Sequence, residues 1–187
     1  MTYLSSNQLK QYEDEGFVSP IDIFSKDKAK EIRNEIELIE KEMPDELEKS
    51  GRYNAHLISP LLDEVTHNSE ILDAVQSLIG KDILVCGTTL FIKNPNVKGF
   101  VSYHQDAKYI GLEPHNWVTA WVAITDSNEH NGCMRVWSGS HKDNLKDHDQ
   151  NFNERNLLTR GQTIKNVPKK KTTPLILKAG QMSLHHP

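Results

Sequence analysis

The sequence has few cysteines, no long apolar run and no excess of positive charge. Two cysteines, Cys86 and Cys133, among 187 residues exclude a disulfide framework and are typical of a reducing compartment; we expect both to be small buried hydrophobes. No stretch approaches the roughly 18 apolar residues that a membrane span needs. Lys10, Glu13 and Asp14 interrupt the N-terminal region, so we expect no secretory signal there.

The net charge of −4 gives no electrostatic basis for binding nucleic acid or an anionic membrane. Hydrophobic residues make up 36% of the chain and charged residues 26%, which is typical of a globular protein. The length corresponds to one domain with a sizeable core. We therefore expect a cytoplasmic protein that binds neither nucleic acid nor membranes.

The first part of the chain predicts helices. Ser5 and Gln8 have the spacing of a capping box, and Gly16 ends that helix. Apolar residues recur at helical spacing over 25–43, which predicts an amphipathic helix that packs on the core rather than on a partner. A third helix is predicted over 68–80. Residues 1–80 are thus expected to be mainly helical.

The second part predicts strands. Short runs rich in β-branched and aromatic residues, separated by Pro, Gly and Asn, occupy 82–93, 99–106, 117–125 and 132–137, and two more flank Ala179 and Gly180. Between them, 142–173 is a polar, strand-poor insertion whose lysines at 169–171 are predicted to form a solvated hairpin tip. Helices followed by closely spaced strands indicate an α+β domain with a barrel or sandwich at its centre.

His104 and Asp106 are two residues apart in a strand-like segment, so their side chains would project from one face. An imidazole and a carboxylate are two of the three protein ligands in the facial triad that holds non-haem Fe(II). A second pair, His141 and Asp143, enters a polar run where a turn would separate the side chains. The pattern alone leaves open whether His104 and Asp106 bind metal or form an ordinary polar edge.

The surrounding residues carry a family resemblance. The segment 103–142, YHQDAKYIGLEPHNWVTAWVAITDSNEHNGCMRVWSGSHK, resembles the core of the phytanoyl-CoA dioxygenase family, with its HQD, TAW, NGC and GSHK elements in order. The resemblance implies a double-stranded β-helix, a jelly roll of cupin type, with N-terminal helices packed on it. It implies one oxygenase domain over 1–187, with the β-helix core over 81–187. It also implies Fe(II), 2-oxoglutarate and O₂ as reactants in hydroxylating a small metabolite.

The resemblance also implies roles for individual residues. His104 and Asp106 match the first two iron ligands, and Lys93, Gln105 and Trp121 match positions near 2-oxoglutarate. A lysine there suits a dianionic cosubstrate, although Lys93 could instead be a strand-end residue reaching solvent. Trp121 could equally pack in the core, and strand alternation would point Gln105 away from the metal.

Three further expectations concern neighbouring side chains. His141, in the GSHK element, is expected to make structural hydrogen bonds rather than to bind iron. Trp117, Tyr103 and Tyr109 either line a substrate pocket or belong to the core. The carboxylate of Asp106 disfavours the related halogenases, which have a small residue at this position.

The sequence departs from the family pattern near its end. Family members have a third ligand, a histidine, and then a 2-oxoglutarate-binding arginine beyond a strand similar to AGQMSLHHP, so we expect an incomplete domain that lacks C-terminal strands. His185 or His186 could replace the ligand, but alternation lets only one point inward, and their family counterparts precede the ligand. An open sheet edge would favour self-association, and turnover would be poor. The alternatives are a catalytically inactive, cupin-like small-molecule binding module and a zinc site built from His104, Asp106 and a terminal histidine.

Overall fold

The computed structural model describes residues 3–45, 52–95, 98–150, 152–153, 155–158 and 160–187. The helices are α1 (Ser6–Glu15), α2 (Lys26–Glu42), α3 (Pro60–Thr66), α4 (Ser69–Ile79) and the single turn α5 (Ala107–Ile110). The strands are β1 (Phe17–Asp22), β2 (Thr119–Val122), β3 (Arg135–Trp137), β4 (Asp149–Gln150), β5 (Gln162–Thr163), β6 (Thr172–Pro174) and β7 (Gln181–His185). The predicted mixture of helices followed by strands is confirmed, except that β1 lies among the helices.

Local capping determines where the first helices begin and end. Ser5 accepts a hydrogen bond from the backbone N–H of Gln8, and the Gln8 side chain accepts one in return, which confirms the predicted capping box. Gly16 ends α1 at a φ of 81°, a backbone region that glycine enters without strain. In α2, Ala29, Ile32 and Ile36 are buried, as the predicted core-facing stripe requires.

The largest sheet has three antiparallel strands in the order β1–β7–β2, so that β7 is central. Its register pairs His185 of β7 with Phe17 of β1 on one side and with Thr119 of β2 on the other. Pairing on both sides fixes the backbone of β7. The other strands form two separate pairs, β3 with β6 and β4 with β5.

Side-chain alternation gives this sheet two different faces. One face packs against α1 and α4, and its members join a single core cluster: Leu4, Val18, Ile21, Ile71, Ala74, Met182 and Leu184. Each fully buried large aliphatic side chain of this kind contributes about 1.5–3 kcal/mol. On the opposite face, Thr119, Trp121 and His185 border a cavity. Packing on this core thus fixes the strands whose other face carries the cavity-lining residues.

Two predicted strands do not form. Residues 82–93 belong to no strand and make only two backbone–backbone hydrogen bonds to described residues, Asn54 N–H to Thr88 O and Leu90 N–H to Arg52 O, and Leu84 is 97% exposed. Residues 99–106 likewise belong to no strand, with scattered bonds such as Ile164 N–H to the Tyr103 carbonyl. A strand needs a continuous ladder with a neighbour, and the described residues supply none at either segment. The closed double-stranded β-helix therefore stays a prediction.

The structure also differs from the predictions for the cysteines and for the insertion. Cys86 is exposed and Cys133 half-buried, so the prediction that both are buried is wrong; Cys86 lies in the unpaired segment 82–93. The insertion over 142–173 contains β4 and β5, and its lysines at 169–171 form an exposed 3₁₀ turn before β6 rather than a hairpin tip. No helix among the described residues is both long and apolar enough to cross a membrane.

Candidate metal centre

A cavity of about 480 Å³ lies against the open face of the three-stranded sheet. Its wall contains all five residues that the sequence predicted for the site: Lys93, His104, Gln105, Asp106 and Trp121. Trp121 comes from β2, whereas Lys93 and residues 104–106 lie outside the strands. Thr119, which the sequence analysis did not name, and His185, which it considered only as a replacement ligand, lie in the same wall.

His104 and Asp106 meet at the cavity, although not by the predicted route. The residues before Asp106 belong to no strand, and the backbone is helical at Asp106, whose φ of −60° and ψ of −33° lead into α5. The turn brings His104 Nε2 to 3.1 Å from Asp106 Oδ1. Both side chains are mostly buried, with exposures of 19% and 26%. Their convergence therefore depends on the turn at Asp106 and not on strand alternation.

The protonation of His104 follows from its second hydrogen bond. Nδ1 lies 2.8 Å from the Ser102 carbonyl oxygen, which can only accept, so Nδ1 carries the proton. In the neutral ring, Nε2 then presents its lone pair to the carboxylate of Asp106. Two acceptors in contact require a cation between them, either a second proton on the ring or a metal ion. A ring whose other nitrogen donates to a backbone carbonyl is a common arrangement for metal-ligating histidine.

The pKa values of this pair agree with that requirement. Burial acts to lower the pKa of His104, but the hydrogen bond and charge of Asp106 raise it above its ordinary value. Burial acts to raise the pKa of Asp106, but hydrogen bonds from His104 and His185 hold it well below its usual range. Without metal, an imidazolium and a carboxylate are therefore the stable forms.

The second oxygen of Asp106 has partners of its own. Thr119 Oγ1 donates a hydrogen bond to Oδ2 at 2.8 Å, and His185 Nε2 lies 3.5 Å from the same oxygen. Thr119 is two residues before Trp121 on β2, so strand alternation could have assigned it to the same face. His185 makes this contact with Asp106, whereas the His186 ring lies 6.3 Å from the Tyr12 ring. Among the described residues, no three His, Cys, Asp or Glu side chains are arranged to hold a metal ion.

The predicted cosubstrate residues differ in their present contacts. The Lys93 ammonium donates to the Gly132 carbonyl, and no carboxylate among the described residues pairs with it. Gln105 Oε1 accepts from the backbone N–H of Lys146 at 2.7 Å. Gln105 thus binds the polar segment over 142–173, and Lys146 itself borders the cavity.

His141 is structural, as predicted. Its Nε2 lies 3.0 Å from the Glu13 carbonyl, and the backbone N–H of Gly139 donates to the Glu15 carbonyl. The last carbonyls of a helix lack partners within the helix, so the GSHK element caps the C-terminal end of α1. Of the aromatic residues left open, Tyr103 borders the cavity and Tyr109 packs edge-on against His104, with ring centroids 5.7 Å apart.

Comparison with known sequences identifies relatives of one kind. The family model for phytanoyl-CoA dioxygenase matches residues 12–187. A phytanoyl-CoA dioxygenase domain-containing protein 1 homologue of Caenorhabditis briggsae is 32% identical over 98 residues, which cover 52% of this chain and 34% of that protein. The peroxisomal phytanoyl-CoA dioxygenase of Mus musculus is 30% identical over 169 residues, covering 78% of this chain and 50% of the mouse protein. The chain therefore spans half or less of the length of these two relatives.

Solved structures with the same fold include non-haem iron enzymes. The apo form of the non-haem monooxygenase ThoJ has a TM-score of 0.84 at 30% identity, over 96% of this chain and 67% of ThoJ. A nickel complex of ThoJ gives 0.76 at 28% identity, over 96% of this chain and 66% of that chain. CytC3 with Fe(II) and alpha-ketoglutarate gives 0.62 at 22% identity, over 97% of this chain and 67% of that chain, a likeness of fold alone.

Proposed function

This chain belongs to the phytanoyl-CoA dioxygenase family, and from that premise we propose that it is an Fe(II)- and 2-oxoglutarate-dependent oxygenase that hydroxylates a small molecule. One observation carries the proposal. His104 Nε2 and Asp106 Oδ1 lie 3.1 Å apart, and the hydrogen bond from Nδ1 to Ser102 leaves two acceptors that need a cation between them.

The donor set fits a divalent metal. Ligands at about 2.1 Å that occupy neighbouring positions of an octahedral ion are about 3 Å apart, close to the distance between His104 Nε2 and Asp106 Oδ1. Imidazole and carboxylate are also the ligand types that non-haem Fe(II) takes. His104 and Asp106 would hold the metal. When bound, the metal supplies the redox chemistry that couples oxidation of 2-oxoglutarate to hydroxylation of the substrate.

Two further residues of the cavity wall, Lys93 and Trp121, suit 2-oxoglutarate. The cosubstrate is a dianion, and among the described residues the Lys93 ammonium at the cavity wall has only a neutral carbonyl as its partner. An unneutralised ammonium attracts a carboxylate through a charge-assisted hydrogen bond. The Trp121 ring also lines the cavity and would exclude water from the cosubstrate.

The rest of the cavity suits a small, largely apolar substrate. Its volume of about 480 Å³ is within the range of small-molecule sites. Apolar and aromatic side chains line much of the cavity: Phe91, Phe100, Val101, Met134, Val136 and Trp137. Lys146, Ile164 and Val167 come from the polar insertion, so this segment supplies part of the pocket wall.

A catalytically inactive, cupin-like binding module is the second candidate. The absence of a third ligand beside His104 and Asp106 among the described residues favours it. Anaerobic titration with Fe(II) and then 2-oxoglutarate separates the two candidates. We expect a visible metal-to-ligand charge-transfer band that His104→Ala abolishes. Retention of small apolar ligands without any such band would instead support the binding module.

A further inference from the structure

We infer that Thr119 and His185 are positioning residues that hold Asp106 Oδ2, so that Oδ1 alone faces His104 and the metal. The inference rests on the proposed function, since it concerns how this chain prepares one ligand of the iron. It assigns roles to two side chains that neither the HQD motif nor the resemblance identified.

The hydrogen bond from Thr119 is short, and its donor is held in place by the sheet. Its hydroxyl donates to Asp106 Oδ2 at 2.8 Å. A β-branched side chain has few rotamers available, and β2 is fixed by its ladder to β7, with Trp121 paired to Ser183 and Val122 to Met182. The hydroxyl therefore points at the carboxylate without a large loss of side-chain freedom.

His185 reaches the same oxygen from the neighbouring strand. It is the cross-strand partner of Thr119 and also pairs with Phe17, so its backbone is held on both sides. Its side chain is only 14% exposed, and Nε2 lies 3.5 Å from Asp106 Oδ2. Nδ1 is buried with no hydrogen-bond partner among the described residues. Nε2 therefore faces the carboxylate, and the ring acts through Asp106.

These two contacts determine how Asp106 can bind. A carboxylate with both oxygens free can rotate about its terminal torsion or bind through both oxygens. Here one oxygen is occupied on the sheet side, and the other lies 3.1 Å from His104 Nε2. A single-oxygen ligand beside His104 leaves more of the coordination sphere for other ligands. Loss of such outer partners typically weakens metal affinity 10–100-fold.

Metal affinity tests the assignment without reliance on turnover. Co(II) is titrated into the whole chain by calorimetry, and thermal melts followed by circular dichroism report folding. Thr119→Val removes the hydroxyl at nearly constant shape, and we expect the Kd for Co(II) to rise by about 10-fold or more. Thr119→Ser keeps a hydroxyl and should bind within a few-fold of the unchanged chain, while His185→Leu should weaken binding as Thr119→Val does.

Ser183→Ala is the matched control, since Ser183 is buried on β7 two residues before His185 and pairs with Trp121. It should leave the Kd for Co(II) unchanged. Equal affinity in Thr119→Val and the unchanged chain would overturn the inference while leaving the proposed function intact. A chain that takes up no Co(II) at all would overturn both.

Paramagnetic proton NMR of the Co(II) form distinguishes positioning from ligation by His185. A coordinated imidazole with a protonated second nitrogen gives a strongly shifted, exchangeable N–H resonance. We expect one such resonance, from His104 Nδ1–H, which His185→Leu retains. Two such resonances, one of them lost in His185→Leu, would make His185 a ligand and overturn its assignment as a positioning residue.

Discussion

The backbone N–H of Gln105 donates a hydrogen bond to His148 Nε2 at 2.9 Å. His148 Nδ1 lies 2.7 Å from the Lys146 carbonyl, and the Lys146 N–H donates to the Gln105 side chain. Gln105 stands between His104 and Asp106, so the polar insertion is attached directly to the segment that carries both proposed ligands. Hydrogen bonds thus connect the insertion, which forms part of the cavity wall, to the segment that carries His104 and Asp106.

This attachment should weaken in acid. Because Nε2 accepts from Gln105, His148 must be neutral, with its proton on Nδ1. Burial lowers the pKa of His148 below its ordinary value of 6.5, with help from Lys108 and His104. Its stabilisation of the fold is therefore complete above about pH 6.5 and is lost as pH falls from there through the lowered folded-state pKa.

Two measurements check this. An NMR titration of the His148 ring should give a midpoint below 6.5, and hydrogen exchange at the Lys146 amide should accelerate over the same pH range. His148→Gln keeps a polar side chain without a titrating ring, and should flatten that part of the pH dependence. A midpoint at or above 6.5 would contradict the neutral, attached imidazole.

Lys93→Ala should weaken 2-oxoglutarate binding. Removing the ammonium takes away a charge-assisted hydrogen bond worth about 1.5–3 kcal/mol, or roughly 10-fold or more in Kd. Titration of 2-oxoglutarate into the Fe(II) form, followed by its charge-transfer band, measures the change. Lys98→Ala removes an exposed lysine that does not border the cavity and is the matched control. Equal Kd values in both variants would leave Lys93 a structural residue.

Gly16→Ala should destabilise the fold more than an ordinary glycine replacement. At a φ of 81°, a side chain costs about 1–2 kcal/mol, and a Cβ would also come within 2.5 Å of His141 Nδ1. Gly111 is also left-handed, with a φ of 64° and a ψ of 24°, but has nothing within 4 Å of an added Cβ. Urea unfolding should therefore show a larger loss of unfolding free energy for Gly16→Ala than for Gly111→Ala. Equal losses would mean that His141 does not pack on Gly16.

Residues 82–93 should promote self-association. This segment leaves most of its backbone groups without partners among the described residues, and it exposes Leu84 and Val85. A row of unpaired backbone groups is a template for pairing with a second copy. Sedimentation velocity should show concentration-dependent association that Leu84→Lys weakens. Leu38→Lys, at an exposed leucine of α2, should have little effect; a monomer at every concentration would remove the prediction.

Helices α1, α2 and α4 could be predicted from the sequence because their determinants are local, whereas α3 and α5 were not predicted. The capping box of Ser5 and Gln8, the end of α1 at Gly16 and the buried stripe of α2 all depend on residues within a few positions of one another. The two residues of the HQD pair are also close in sequence, although their assignment as ligands rested on the family resemblance over 103–142. These features needed no knowledge of distant parts of the chain.

Strand pairing and the rest of the site depended on tertiary structure. The residues over 82–93 have strand-like composition but no continuous partner, and composition alone does not supply one. Phe17 pairs with His185 from the opposite end of the chain. That ladder places His185 next to Thr119, and both side chains contact the same oxygen of Asp106, Oδ2. The sequence by itself determined the helices and the candidate ligands, since neighbouring residues decide both. Only the tertiary structure decided how those ligands are oriented, because the partners that orient them are remote in sequence.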